Sequence, residues 1–323
     1  MTDAPIGTST VARFALEPAA PFRLDLTAWA LRRRPDNAVD RLEGGVYRRV
    51  LVADGAPVSL SVRQVGGVDS PRLEIEAAGD MAAAEVAHAA QASLVRVLGL
   101  SFDMSAFHQL AAADAYLGPL AARLRGIRPP RYPSAFEALV NAVVCQQITL
   151  SLGIRVLNRL VEGYGLAVGD AHAFPRPEDL AGADPDRLRA LGLSAQKARA
   201  VVDVAQRVAS GDLDLEGLAG LDDEAAIARL VELRGVGRWS AEYLLLRGLG
   251  RVHVFPGDDS GLRRNLALWL DLPALDVAGT RALLARWHPF AGIVYLCLLA
   301  NRLIAAGQVQ PSVEPHSTPS EDQ

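Results

Sequence analysis

Apolar residues follow two rhythms along the first hundred positions. Val11–Leu16, Val46–Val52, Val58–Gln64 and Arg72–Ala77 alternate or are β-branched, as strands with one buried face do. Leu24–Arg34 and the alanine-rich Met81–Leu98 keep the helical period, and Pro35-Asp36 stops the first of them. Gly and Asp supply the turns between. The order strand, helix, three strands, helix predicts an α+β N-terminal domain, an antiparallel sheet with helices, over residues 10–102.

From Ser105 onward the strand signal vanishes. Ala111–Leu124 predicts a helix, and Ile127–Pro133, with its three prolines, a connector. Phe136, Leu139, Val140, Val143 and Val144 fall at i, i+3, i+4, i+7 and i+8, the stripe of a core-facing helix. Ile154, Leu157, Leu160 and Val161 repeat that stripe. Ala198–Ser210, Glu224–Leu233, Leu283–Trp287 and Ile293–Ala306 complete an all-α domain over residues 103–308. Residues 1–9 read as disordered, as does the Ser/Pro/acid-rich tail 309–323.

Half of the 323 residues are hydrophobic, enough for two or three cores. The net charge of −4 lacks the basic footprint usual in a nucleic-acid protein. A sum does not show distribution, however. Arg247, Arg251, Arg263 and Arg264 gather in one stretch, which leaves room for a local basic face. Two cysteines, Cys145 and Cys297, exclude a disulfide scaffold and a four-cysteine zinc or iron–sulfur site. The six histidines show no ligand spacing, so neither metal nor cofactor is expected. The first residues have neither the basic region nor the apolar run of a signal peptide, and no run is long enough to span a bilayer. A cytoplasmic monomer is expected.

The most informative stretch is Leu233-Arg-Gly-Val-Gly-Arg-Trp-Ser-Ala-Glu-Tyr243. One helix ends near Glu232 and another begins near Trp239. Gly235 and Gly237 permit a very tight turn and leave no side chain between the backbone amides and an approaching anion. The second helix aims its N-terminal dipole at the same spot, where a phosphate fits. Val236 packs inward in this reading. A plain helix corner closed by a C-cap glycine is the simpler account of a bare G-x-G, but the longer pattern Leu-x-Gly-Val-Gly-x-x-x-Ala is more specific.

That pattern resembles the helix-hairpin-helix of the DNA glycosylase superfamily. The superfamily's hairpin is followed by a Gly/Pro-rich loop and an aspartate. Here the loop is Val254-Phe-Pro-Gly-Asp-Asp-Ser-Gly-Leu262, and Asp259 lies 22 residues beyond Gly237. The spacing favours Asp259 over Asp258 as the functional carboxylate, either of which also suits a helix N-cap. Gln146-Gln147-Ile148-Thr149 resembles the family's Gln-Gln-Ile-Ser/Thr element, and Leu191–Ala198 its Gly-x-Ser-x-x-Lys-Ala turn. The sheet domain and Arg286-Trp-His-Pro-Phe290 are similar to the AlkA-type 3-methyladenine subfamily.

The resemblance implies a helix-hairpin-helix glycosylase core that flips a damaged base out of double-stranded DNA. Members that also nick the strand carry a Schiff-base lysine just after the hairpin; that position is Trp239 here, so monofunctional hydrolysis is implied. Asp259 would stabilise positive charge on the deoxyribose. Trp239 and Tyr243, four apart on one helix face, would stack on an alkylated, cationic base, with Phe290 or Trp287 as a further wall. Gly235, Gly237, Arg238 and Ser240 would hold the DNA backbone. Gln147, with Gln146 as the alternative, would fill the gap left by the flipped base. The substrates implied are 3-methyladenine and 7-methylguanine, the process base excision repair and the location the nucleoid. Two other readings stand beside it: a glycosylase for deaminated or oxidised bases, and a non-catalytic DNA-binding module.

Overall fold

The computed structural model describes residues 9–310. The expected disorder of residues 1–8 and 311–323 falls outside the described residues.

The N-terminal domain has the expected order with one addition. Strand β1 (Thr10–Leu16) precedes helix α1 (Leu24–Arg32). A three-residue strand, β2 (Arg41–Glu43), comes next, then β3 (Val46–Ala53), β4 (Ala56–Val65), β5 (Arg72–Gly79) and helix α2 (Ala83–Val97). The five strands are antiparallel in the order β1-β5-β4-β3-β2. The alternation works as read: Leu73, Ile75 and Ala77 are buried while Arg72, Glu74 and Glu76 face water. The short β2 carries too few residues to show a period.

The predicted Ala111–Leu124 helix is two helices, α3 (Ser105–Ala112) and α4 (Leu117–Arg123). Asp114 divides them, because its Oδ1 accepts the amides of Tyr116 and Leu117 and so starts a new turn. Then follow α5 (Ala135–Cys145) and α6 (Leu150–Tyr164). A two-stranded hairpin, β6 (Ala167–Val168) with β7 (Ala171–His172), interrupts the all-α expectation and packs on the sheet through Val50, Ala171 and Ala173. The chain continues through α7 (Pro177–Ala181), α8 (Pro185–Ala190), α9 (Ala195–Ala209) and α10 (Asp223–Val231). Helices α11 (Arg238–Arg247), α12 (Ser260–Trp269), α13 (Val277–Ala285) and α14 (Ala291–Ala305) complete it.

Two apolar cores fill the helical part. One joins α5, α6, α9, α10 and α11 through residues such as Leu139, Leu157, Val201, Leu230 and Leu244. The other joins α3, α4, α12 and α14, and it takes in Leu26 and Trp29 from α1. Val309, placed in the tail by its sequence, is buried in this second core. The sheet domain is therefore seated on the helices, not tethered beside them.

A buried ion network strengthens that seat. Arg49 on β3 donates to Asp40 at 2.7 Å and to Glu137 on α5 at 2.5 and 2.6 Å, all three nearly sealed from water. The Tyr47 hydroxyl donates to the same Asp40 at 2.8 Å. Burial holds the Glu137 carboxyl above its usual range, against the pull of Arg49. Removing one member strands a buried charge, at about 3–5 kcal/mol.

Candidate active site

Residues from the end of α1, the α5–α6 turn, α11, the loop before α12, α12 itself and α14 line one cleft of about 1270 Å³. Six arginines line it (Arg33, Arg34, Arg238, Arg247, Arg264 and Arg302) against two acids, Asp258 and Asp259. The acidic chain thus does present a basic face, made by the fold. Of the four clustered arginines, only Arg247 and Arg264 reach it; Arg251 instead pairs with Asp223 at 2.6 Å.

The hairpin turns between α10 and α11. Gly235 has φ +79, and an added Cβ would lie 2.8 Å from the Ala200 Cβ, so glycine is required there. Gly237 does not share that conformation: its φ is −99 and nothing lies within 4 Å of a Cβ. Its use is open space. Val236 packs inward, 6% exposed. Helix α11 has no side-chain cap, whereas α5, α6, α9, α10, α12 and α13 each have one. Within the described residues, the amides of Gly237, Arg238 and Trp239 meet no acceptor, and they lie at a positive helix end.

Two of the residues expected to hold DNA here are otherwise engaged. Ser240 is fully buried and its hydroxyl receives the Gln146 side-chain amide, which also donates to Gly235 O at 3.2 Å. Gln146 thus ties the α5 C-terminus to the hairpin. Arg238 donates to Glu224 at 2.6 Å and to Glu242 at 2.9 Å, which leaves its charge balanced by its own chain. The neighbouring Gln147 is the free one: exposed, with φ +52, at the lip of the cleft.

Asp259 is the N-cap of α12, and it is also a site residue. Its Oδ1 accepts the Leu262 amide at 2.8 Å. Its Oδ2 accepts the Trp239 indole N–H at 3.3 Å, and the Tyr295 hydroxyl lies 3.5 Å from the same oxygen. Burial, then the Asp259 charge, pushes the Tyr295 phenol well above its usual range, so it stays a protonated donor. Asp258 also lines the cleft but is exposed, 3.6 Å from Arg281 and without a hydrogen bond to Trp239 or Tyr295 among the described residues.

Trp239 and Tyr243 stack on each other, ring centres 5.3 Å apart and 20° from parallel. Beneath them lie Tyr132, whose hydroxyl is 3.0 Å from that of Tyr243, and the guanidiniums of Arg33 and Arg247. Arg33 comes from the sheet domain. It closes α1 in the left-handed conformation, φ 59, which turns its side chain into the helical core.

Trp287 and Phe290 do not join this site. Trp287 is 1% exposed, donates its indole N–H to Asp114 at 2.9 Å and packs on Trp269. Phe290 meets Phe107 edge-on at 5.9 Å. The turn from α13 to α14 folds both onto α3 and α4, so they are core aromatics.

Glu242 was not singled out by sequence. It is 2% exposed and accepts from Arg238, from Arg281 at 2.9 and 3.1 Å, and from the Gly257 amide at 3.2 Å. It pins the loop that carries Asp259. Tyr295 also gave no signal, sitting in the apolar run of α14. The chain has one lysine, Lys197, whose Nζ donates to Val144 O at 2.9 Å and Gln146 O at 2.6 Å. It caps α5 and holds the turn bearing Gln147.

Fold and site together define a helix-hairpin-helix protein with a carboxylate at the mouth of an arginine-lined cleft. Residues 140–289 match the model of the HhH-GPD superfamily base excision DNA repair proteins. The chain is 31% identical to DNA-3-methyladenine glycosylase 2 of Escherichia coli over 60% of its own length and 67% of that protein. It is 32% identical to a Bacillus subtilis DNA-3-methyladenine glycosylase over 52% of this chain, and it spans only 57% of that relative's length. A solved 3-methyladenine DNA-glycosylase from Archaeoglobus fulgidus superposes with a TM-score of 0.79 at 26% identity, covering 90% of this chain and 99% of the other. The chain belongs to the HhH-GPD superfamily.

Proposed function

We propose that this chain is a monofunctional DNA glycosylase of base excision repair, which hydrolyses the N-glycosidic bond of flipped-out alkylated purines of the 3-methyladenine and 7-methylguanine type in duplex DNA. The observation that carries the reading is the Asp259 carboxylate, held at the cleft mouth by Trp239 and Leu262. Relatives with glycosylase names at about one third identity support it.

The free amides of Gly237, Arg238 and Trp239 grip a DNA phosphate next to the lesion. Gln147 enters the stack as the base leaves it. Bond breaking builds positive charge on the deoxyribose, which Asp259 stabilises through space and then uses to orient water. Tyr295 and Trp239 keep the carboxylate aimed. No lysine amine is free to attack the sugar, because the single lysine is bound to backbone carbonyls. The chain acts as a cytoplasmic, nucleoid-associated monomer.

The test is base release from duplexes carrying 3-methyladenine, 7-methylguanine, hypoxanthine, 1,N6-ethenoadenine, uracil or 8-oxoguanine. Release of methylated purines, leaving an intact abasic strand, is expected. Binding to all six duplexes with release from none would make the chain a DNA-binding module.

A further inference from the structure

The floor of the cleft holds two cations that the reaction just described does not use. Arg33 is 7% exposed and Arg247 is 1% exposed, and both line the cavity. Neither has an ion-pair partner among the described residues; of the other buried arginines, Arg49 has two, while Arg32 and Arg128 donate to backbone carbonyls and do not line the cavity. Arg33 donates to Asn141 Oδ1 at 2.7 Å and to the Tyr243 hydroxyl at 3.3 Å. Arg247 donates to the backbone carbonyl of Ala30 at 3.0 Å. The Nε of each is buried without a hydrogen-bond partner, as is that of ion-paired Arg49, so what sets these two apart is charge left uncompensated at the cavity floor. Arg247 also sits over the Tyr243 ring, 6.0 Å from its centre, so that face already serves a cation.

A guanidinium has donors and no acceptor. A guanidinium without a counter-charge projects positive potential into the cavity beside it, which an oxygen lone pair relieves and a ring amino group does not. A carbonyl oxygen fits such a floor, whereas an amino group sets donor against donor.

We propose, resting on the glycosylase reading above, that Arg33 and Arg247 make this pocket read the 6-position of a flipped purine, taking 6-keto bases in preference to 6-amino bases. Hypoxanthine and 7-methylguanine carry O6 and are favoured. 3-Methyladenine carries an N6 amino group and is disfavoured. Hypoxanthine is favoured twice, being also uncharged beside two cations. The sheet domain then takes part in choosing the base, since α1 supplies Arg33.

The experiment compares kcat/KM for release of hypoxanthine, 7-methylguanine and 3-methyladenine from otherwise identical duplexes, for the full chain and for Arg33→Gln and Arg247→Gln. After correction for the different spontaneous loss of each base, the full chain should favour the keto bases by about tenfold or more. Either substitution should bring the keto-to-amino ratio toward one; a purely structural role would lower all three rates together and leave the ratio alone. Should both variants fail to fold, inhibition of the unaltered protein by free bases decides the matter: hypoxanthine and 7-methylguanine should inhibit at lower concentration than 3-methyladenine. A ratio that favours 3-methyladenine, or one that folded variants leave unchanged, overturns the proposal and spares the glycosylase reading. Release of no base from any duplex overturns both.

Discussion

The indole N–H of Trp239 donates to Oδ2 of Asp259 across 3.3 Å, joining the hairpin helix to the loop that follows it 20 residues later. One carboxylate is thereby split between two tasks: Oδ1 caps α12, and Oδ2 faces the cleft. Asp259→Asn separates them. Asparagine caps helices as well as aspartate does, so stability should stay within about 0.5 kcal/mol. The charge under the sugar is lost, and release should fall by at least about a hundredfold. Single-turnover release and fluorescence anisotropy with abasic duplex check the two halves; full activity in this variant removes the mechanism.

The two hairpin glycines should fail differently. Gly235→Ala meets both a positive φ and Ala200, and should cost about 1–3 kcal/mol of stability in urea unfolding. Gly237→Ala meets no atom within 4 Å and should unfold like the parent, while its affinity for duplex DNA drops. Equal loss of stability in both would contradict the geometry.

Gln147 stands at φ +52, a backbone conformation that favours glycine. Gln147→Gly should therefore raise stability by about 1 kcal/mol while slowing base release. Opposite signs in thermal unfolding and turnover are the expected signature of a residue kept for extrusion and not for folding.

Glu242→Gln removes the charge that holds Arg238, Arg281 and the Gly257 amide. The partners are only partly buried, so the cost should be about 1–3 kcal/mol. Because the loop bearing Asp259 loosens, kcat should fall more than KM rises. A change in KM alone would place Glu242 outside the positioning of that loop.

Borohydride should trap no covalent adduct with damaged or abasic duplex, and strands should stay intact until alkali is added. Lys197 is engaged by two carbonyls, and burial lowers its ammonium below the usual lysine range without freeing it. A trapped adduct on gel electrophoresis would reveal an amine nucleophile that this geometry does not offer.

Local chemistry was legible along the chain because it depends on neighbours in sequence. The strand and helix periods, the Leu-x-Gly-Val-Gly turn, the N-cap aspartate and the spacing between Gly237 and Asp259 all lie within one or two elements. The helix period likewise put Trp239 and Tyr243 on one face. Where the reading failed, distant contacts decided. Trp287 and Phe290 have the composition of a binding wall, but α3 and α4 lie against them and make them core. Ser240 is polar at a helix start, yet Gln146 from another helix seals it in. Arg33, Tyr295 and Glu242 carry no local mark, and Arg247 shows only as one of a run of arginines, because their roles come from what surrounds them. Sequence by itself determined where the chain turns, which faces seek the core and which residues could cap or cradle. Only the tertiary structure decided which charges go unpaired and which cavity they face, because burial and partners belong to the packed whole and to no segment of it.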